Sequence, residues 1–168
     1  MKGILNNVFK VFYGIIIAIL TIGISTIITL NSKFIYYYSI DKYNLEKIAN
    51  ISKEMLIDDF DRLIKYLQNP FIEKLKFNNF TMSINGEFHF YEVKKIFLWI
   101  YAITIFIALL FIILVITNKF NRNKIHIYKI LNYGANTLII TIVSLLAIIS
   151  IDFSKAFIVI HKIFFNND

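Results

Sequence analysis

Three long runs of apolar residues dominate the hydrophobic pattern of the chain. They cover residues 8–30, 96–117 and 131–151, and each reaches the ~20 residues that a helix needs to cross a bilayer. Lys2 and Lys10 precede the apolar core of the first run, as in a signal peptide, but that core is too long for one and no small-residue cleavage site follows. We therefore predict three transmembrane helices, the first of them retained.

The long polar segment between the first two runs, residues 31–95, is predicted to be partly helical. Ser52 is a good N-cap, and apolar residues then recur at helical spacing: Leu56, Phe60, Leu63, Ile64 and Leu67. Acidic residues in the N-terminal half of this helix interact favourably with the positive end of the helix dipole: Glu54, Asp58 and Asp59. The helix should end at Asn69 and Pro70. Beyond it, Asn85 and Gly86 indicate a turn, which leaves open a short hairpin or a chain lying on the membrane.

The C-terminal segment, residues 152–168, is predicted to be a short amphipathic helix at the membrane surface. Its apolar stripe comprises Phe153, Phe157, Ile160 and Phe164. Asp152 is a suitable N-cap. His161 lies one turn after Phe157, at the edge of the stripe, and is predicted to point towards the protein.

Composition and charge support one membrane domain over residues 1–168. Hydrophobic residues make up 58% and charged residues 17%, against about 45–50% and about 25% in soluble domains. The net charge is +7, which we assign to orientation and lipid contact rather than to nucleic acid. Residues 118–130 are basic and contain no acid, so they and the N-terminus should face the cytoplasm. Residues 31–95 and 152–168 should then lie outside.

Histidines are the only candidates for catalysis. The chain has no cysteine, no Gly-rich phosphate loop, no GxSxG and no HExxH. His126 falls in the predicted cytoplasmic loop and is interpreted as a solvated residue. His89 and His161 should share the extracytoplasmic face. The alternative is that each is an interfacial histidine whose ring is satisfied by a backbone carbonyl.

Two stretches resemble the motifs of a known family. FHFYEVKKIF, residues 88–97, is similar to a His-(Phe/Met)-x-Asp-Val-Lys-x-Leu-Phe signature, with Glu92 in place of the usual Asp. HKIFFNND, residues 161–168, is similar to a Phe-His-x-x-Phe-Phe-x-Asn-Asp signature, although Ile160 stands where an aromatic is commoner. Both belong to the lipoprotein intramolecular transacylases of low-GC Gram-positive bacteria, multi-pass proteins of the cell membrane.

The resemblance implies an acyl migration on diacylglyceryl-modified lipoproteins. The sn-2 acyl chain would move from glycerol to the N-terminal amine of the same molecule and give the lyso form. His161 is then expected to act as general base and later acid, and His89 to orient substrate or stabilise the oxyanion, with the two roles exchangeable. Glu92, Lys94 and Asp168 are expected to bind or orient substrate. No cofactor and no metal are expected.

Several alternatives stay open at this point. Family members continue past the Asn-Asp pair to a fourth membrane helix, so the chain is expected to be a truncated, inactive member or a short one. A non-enzymatic membrane scaffold or accessory protein is the competing function. A metal-dependent hydrolase would need an ion between His89, His161 and a carboxylate. The oligomeric state and the lipoproteins processed are not predicted.

Overall fold

The described part of the chain is entirely helical. The computed structural model describes residues 2–120 and 127–165, which form seven α-helices and no strand. In chain order these are α1 Lys2–Asn31, α2 Phe34–Tyr43, α3 Leu45–Ala49, α4 Lys53–Gln68, α5 Ile84–Phe120, α6 Ile127–Ile151 and α7 Phe153–Phe164. The predicted all-α class is confirmed.

Three helices are long and apolar enough to cross a membrane. The stretches that qualify are Lys10–Asn31, Ile84–Lys119 and Ile127–Ile151. They lie on α1, α5 and α6, so the three membrane helices expected from the hydrophobic pattern are confirmed. Residues 121–126 of the predicted basic loop, including His126, lie outside the described residues.

Helix α5 begins much earlier than the hydrophobic pattern indicates. It starts at Ile84, twelve residues before the expected membrane segment at Ile96. Asn85 and Gly86 lie in its first turn, so the hairpin alternative is wrong. The reason is a cap: Ser83 Oγ accepts a hydrogen bond from the Gly86 N–H at 3.1 Å, which favours helix over turn.

The length of α5 exceeds what a bilayer core can cover. Its apolar stretch has 36 residues, about 54 Å at 1.5 Å per residue, against about 30 Å of hydrocarbon. A helix of this length therefore carries extra turns outside the hydrocarbon. Its polar turns are those nearest Ile84, where Glu87, His89, Glu92 and Lys94 occur.

The chain divides into two compact units. The first comprises the described residues up to Ser25 and from Ala102 to Ile163. In it α1 and α6 approach closely through two small residues. A Cβ added to Gly134 would overlap the Ile17 side chain, and one added to Gly14 would lie 2.8 Å from Thr137 Oγ1. Close backbone approach at glycine is a usual way for membrane helices to pack.

Helix α7 begins where the sequence predicted and ends at Phe164, within the predicted segment 152–168. The Lys155 N–H donates to Asp152 Oδ1 at 2.9 Å, so Asp152 caps the helix. This backbone hydrogen bond is the main reason why the pKa of Asp152 lies below its ordinary value of 3.8. The predicted apolar stripe, including Phe153 and Phe157, is exposed, as a face meant for lipid would be.

The second unit comprises residues 26–101 together with the chain end from Phe164. Helix α4 matches its prediction: Ser52 Oγ accepts from the Met55 N–H at 3.4 Å. Its Tyr66 and Leu67 form a buried core with Leu75. Helices α2 and α3 were not predicted. Each ends at an asparagine with positive φ, Asn44 at 51° and Asn50 at 54°, which are left-handed C-caps.

Asp59 has a different role from the one expected for it. Its side chain is buried, with 2% of the residue exposed. The carboxylate accepts three backbone N–H bonds, from Asn78 at 2.6 Å, Asn79 at 2.9 Å and Phe80 at 3.1 Å. Rather than stabilising a helix terminus, it fixes the loop before α5 on α4. Phe77 of this loop packs edge-on against Phe90 of α5, with ring centroids 6.1 Å apart.

Candidate active site

His89 lies on the second turn of α5, in the second unit. Its imidazole is half-buried and packs against the ring of Phe165, with centroids 4.8 Å apart and a tilt of 36°. Phe165 directly follows α7 and belongs to the same unit as His89. The C-terminal motif therefore supplies one wall around this histidine.

Glu92 and Lys94 are buried on the same helix. Glu92 lies three residues after His89, on a neighbouring part of the helix surface, and only 5% of it is exposed, with 6% for Lys94. Carboxylates and ammonium groups are seldom buried to this degree unless they are paired. Polar groups so placed, close to a histidine, are a usual feature of catalytic sites.

The Lys94 amine is held by the loop and by α4. Its Nζ donates to the Ile72 carbonyl and lies 4.5 Å from the centroid of the Tyr66 ring, a cation–π arrangement. Tyr66 is 2% exposed, and burial raises the pKa of its phenol above 10.0. These contacts fix the polar turns of α5 against the rest of the second unit.

A polar triangle lies at the far side of the same core. The Asn31 amide donates to Tyr101 Oη at 3.2 Å, Tyr101 donates to Gln68 Oε1 at 3.0 Å, and Gln68 donates to Asn31 Oδ1 at 3.1 Å. It ties the end of α1 to α4 and α5. Beside it opens a cavity of about 670 Å³, bordered by the Lys33–Asp61 ion pair at 2.8 Å.

His161 lies on the last turn of α7, in the first unit. Its ring is half-buried and is 5.8 Å from the ring of Phe157, as the helical spacing predicts. That His161 and His89 share one site stays a prediction. Asp168 lies outside the described residues. Among the residues that the structure describes, no three His, Asp or Glu side chains are grouped as metal ligands.

Comparison with known proteins identifies the family. A model of the family "Lipoprotein intramolecular transacylase Lit" matches residues 11–168. The chain belongs to the Lit family. The family resemblance inferred from the sequence is thereby confirmed. A comparison with curated proteins gave no match.

Solved Lit structures from Bacillus cereus share the fold of this chain. One is 28% identical, with a TM-score of 0.80, and the match covers 99% of this chain and 75% of that one. Two others carry a single histidine substitution. The one changed to arginine is 30% identical, with a TM-score of 0.75 and coverage of 99% and 73%. The one changed to alanine is 30% identical, with a TM-score of 0.79 and coverage of 99% of this chain and 74% of that one.

These relatives are described as membrane-integral. Together with the three apolar helices, this makes the present Lit-family chain a multi-pass membrane protein.

Two residues that contact the candidate site residues were missed by sequence reasoning. Phe165 stood within a recognised motif but was not named as a site residue, because its contact with His89 depends on tertiary structure. Tyr66 was not among the residues that the sequence analysis singled out. The signal that could have found it is its place beside the apolar stripe of α4, next to Leu67, where a tyrosine becomes a core residue.

Proposed function

We propose that this Lit-family chain moves the sn-2 acyl chain of a diacylglyceryl-cysteine lipoprotein to the α-amine of that same cysteine. The amine nitrogen attacks the ester carbonyl, a C–N amide bond forms, and the C–O bond to the glycerol sn-2 oxygen breaks. The proton lost by the amine ends on that oxygen. Product and substrate are isomers, so the reaction needs no water, nucleophile or redox partner from outside.

The proposed roles follow from this proton balance. His161 removes the amine proton as general base and returns it to the leaving glycerol oxygen as general acid. His89 stabilises the oxyanion of the tetrahedral intermediate or orients the ester, and the two roles are exchangeable. Glu92, Lys94 and Asp168 are proposed to bind or orient substrate. Because both reacting groups sit on one molecule, positioning supplies much of the rate.

The observation that carries the proposal is the packing of Phe165 on His89 at 4.8 Å. Phe165 follows His161 by four residues in the same motif. A site that uses both histidines requires the C-terminal motif to reach the beginning of α5, and this contact is what such a site would need. Family membership over residues 11–168 supports the same reaction class.

We propose further that this site faces the outer leaflet. The basic residues before the first apolar run and between the second and third favour a cytoplasmic location for both segments. The N-terminal turns of α5 and all of α7 then lie on the extracytoplasmic side. Lipoproteins carry their lipid anchor in that leaflet, so the proposed topology brings substrate and histidines to the same face.

The test is co-expression with a model lipoprotein in a host that makes only the diacylglyceryl form. Because the product is an isomer, the released lipopeptide keeps its mass, and fragmentation must locate one acyl chain on the amine. We expect this N-acyl species with the unchanged chain and its loss in His89→Ala and His161→Ala. His126→Ala is the matched control and should retain activity. Unmodified lipopeptide with inserted, folded protein would contradict the proposal.

A further inference from the structure

Helix α2 has two sharply different faces. One face packs within the second unit. Ile40 is fully buried, the Tyr36 ring stacks on Phe60 with centroids 4.0 Å apart, and Tyr37 Oη donates to Asp61 at 3.5 Å. This face holds α2 firmly on α4 and fixes which side of the helix turns outward.

The opposite face is apolar and exposed. Phe34 is 69% exposed, Ile35 49% and Tyr38 62%, and their spacing of one and four residues places all three on one side of a helix. Lys42 lies one turn further on. Its Nζ is 5.4 Å from the Tyr38 ring and 5.5 Å from the Tyr43 ring. Two aromatic rings with a lysine over them form an amphipathic edge to this face.

The position of α2 in the chain indicates what covers this face. Helix α1 is a membrane-spanning stretch that ends at Asn31, and α2 begins three residues later. The turn between them is closed by backbone hydrogen bonds, Lys33 N–H to Asn31 O at 2.9 Å and Ile35 N–H to Ser32 O at 3.1 Å. This tight turn keeps the beginning of α2 close to the membrane surface at which α1 ends.

We propose that α2 is an interfacial helix whose Phe34, Ile35 and Tyr38 face docks on the phospholipid leaflet at the end of α1. Aromatic side chains favour the boundary between headgroups and acyl chains, and a lysine stem lies along apolar surface while its amine reaches the phosphates. The helix thereby fixes the height of α4, on which it packs, relative to the lipid. This role is independent of the acyl transfer proposed above.

The absence of cysteine from the sequence makes the test direct. Single Ile35→Cys and Tyr38→Cys variants of the full chain are spin-labelled and reconstituted in bilayers of phosphatidylcholine and phosphatidylglycerol. Collision of the label with oxygen, which enriches in lipid, is compared with collision with a water-soluble nickel chelate. Glu54→Cys, at an exposed acid on α4, is the matched control in the same unit.

The expected result is a depth of about 5–10 Å below the phosphates for labels at 35 and 38, with the label at 54 open to nickel. Nickel access at 35 and 38 equal to that at 54 would overturn the proposal, because the face would then lie in water. Labels shielded from both reagents, or broadened by a second label nearby, would also overturn it, since a protein or a second copy would then cover the face.

Discussion

Replacing Asp59 by asparagine tests how the polar turns of α5 are held in place. The carboxylate accepts three backbone N–H bonds from residues 78–80 while 2% of the residue is exposed. Asparagine has nearly the same shape but carries one acceptor oxygen and one NH₂ group. The NH₂ group of asparagine must therefore face a backbone N–H group, and two donors cannot form a hydrogen bond with each other.

The magnitude follows from the geometry. If the amide oxygen takes the place of Oδ2, it keeps the N–H groups of Asn79 and Phe80 but loses the charge. Bonds to a charged acceptor contribute about 1.5–3 kcal/mol and neutral ones about 0.5–1.5 kcal/mol, so these two bonds lose about 1 kcal/mol each. The Asn78 N–H loses its bond altogether, about 1.5–3 kcal/mol more. The total is about 3–5 kcal/mol of local stability.

Hydrogen exchange measured by mass spectrometry detects this loss of local stability at the loop itself. Exchange through local opening should be about 100- to 4000-fold faster at residues 78–80 in Asp59→Asn, at about 1.4 kcal/mol for each factor of ten. Asp61→Asn is the control, because Asp61 pairs with Lys33 at the surface of α4 and makes no bond to the loop. A change of less than threefold in Asp59→Asn would refute the reasoning.

Two further predictions concern stability in detergent, measured as the midpoint of thermal unfolding. Gly134→Leu should destabilise by about 1–3 kcal/mol, because a side chain there overlaps Ile17 and forces α1 and α6 apart. Acidification should also destabilise. The Arg62 hydrogen bond holds the pKa of Asp58 below its ordinary 3.8. The stability that the Asp58 carboxylate contributes is therefore fully present above pH 3.8 and is lost as the pH falls through the lowered pKa. Asp58→Asn should show a smaller acid loss.

Each of these has its own control. Ile140→Leu lies on the same helix as Gly134 but is exposed, and it should leave the unfolding midpoint unchanged. Equal midpoints for Gly134→Leu and the unchanged chain would mean that α1 and α6 do not pack through these residues. Parallel acid profiles for Asp58→Asn and the unchanged chain would show that the Asp58–Arg62 bond is not formed.

Much of the fold was predictable because lipid imposes a simple rule. A helix satisfies all its backbone hydrogen bonds within itself, so long apolar runs in a membrane protein must be helices. The N-terminal ends of α4 and α7 were also predictable, since Ser52 and Asp152 cap them through local hydrogen bonds. Local chemistry decided these features, and the sequence contains all of it.

The beginning of α5 was not predictable in the same way. Asn85 and Gly86 favour a turn locally. The Ser83 cap together with the packing of Phe90 on Phe77 explains why these residues form a helix instead. Asp59 illustrates the same limit. An acid at the border of an apolar stripe was a signal of burial, but its three N–H donors come from a loop about twenty residues away. Contacts of that range depend on tertiary structure.

Purified chain with a synthetic diacylglyceryl lipopeptide gives the most direct test of the proposed acyl transfer. An equal mixture of two substrates is used, one with a heavy-isotope sn-2 acyl chain and one with a heavy-isotope peptide. Intramolecular transfer predicts N-acyl products that keep each acyl chain with its own peptide. Products that exchange acyl chains between peptides, or no N-acyl product from folded protein, would contradict the account.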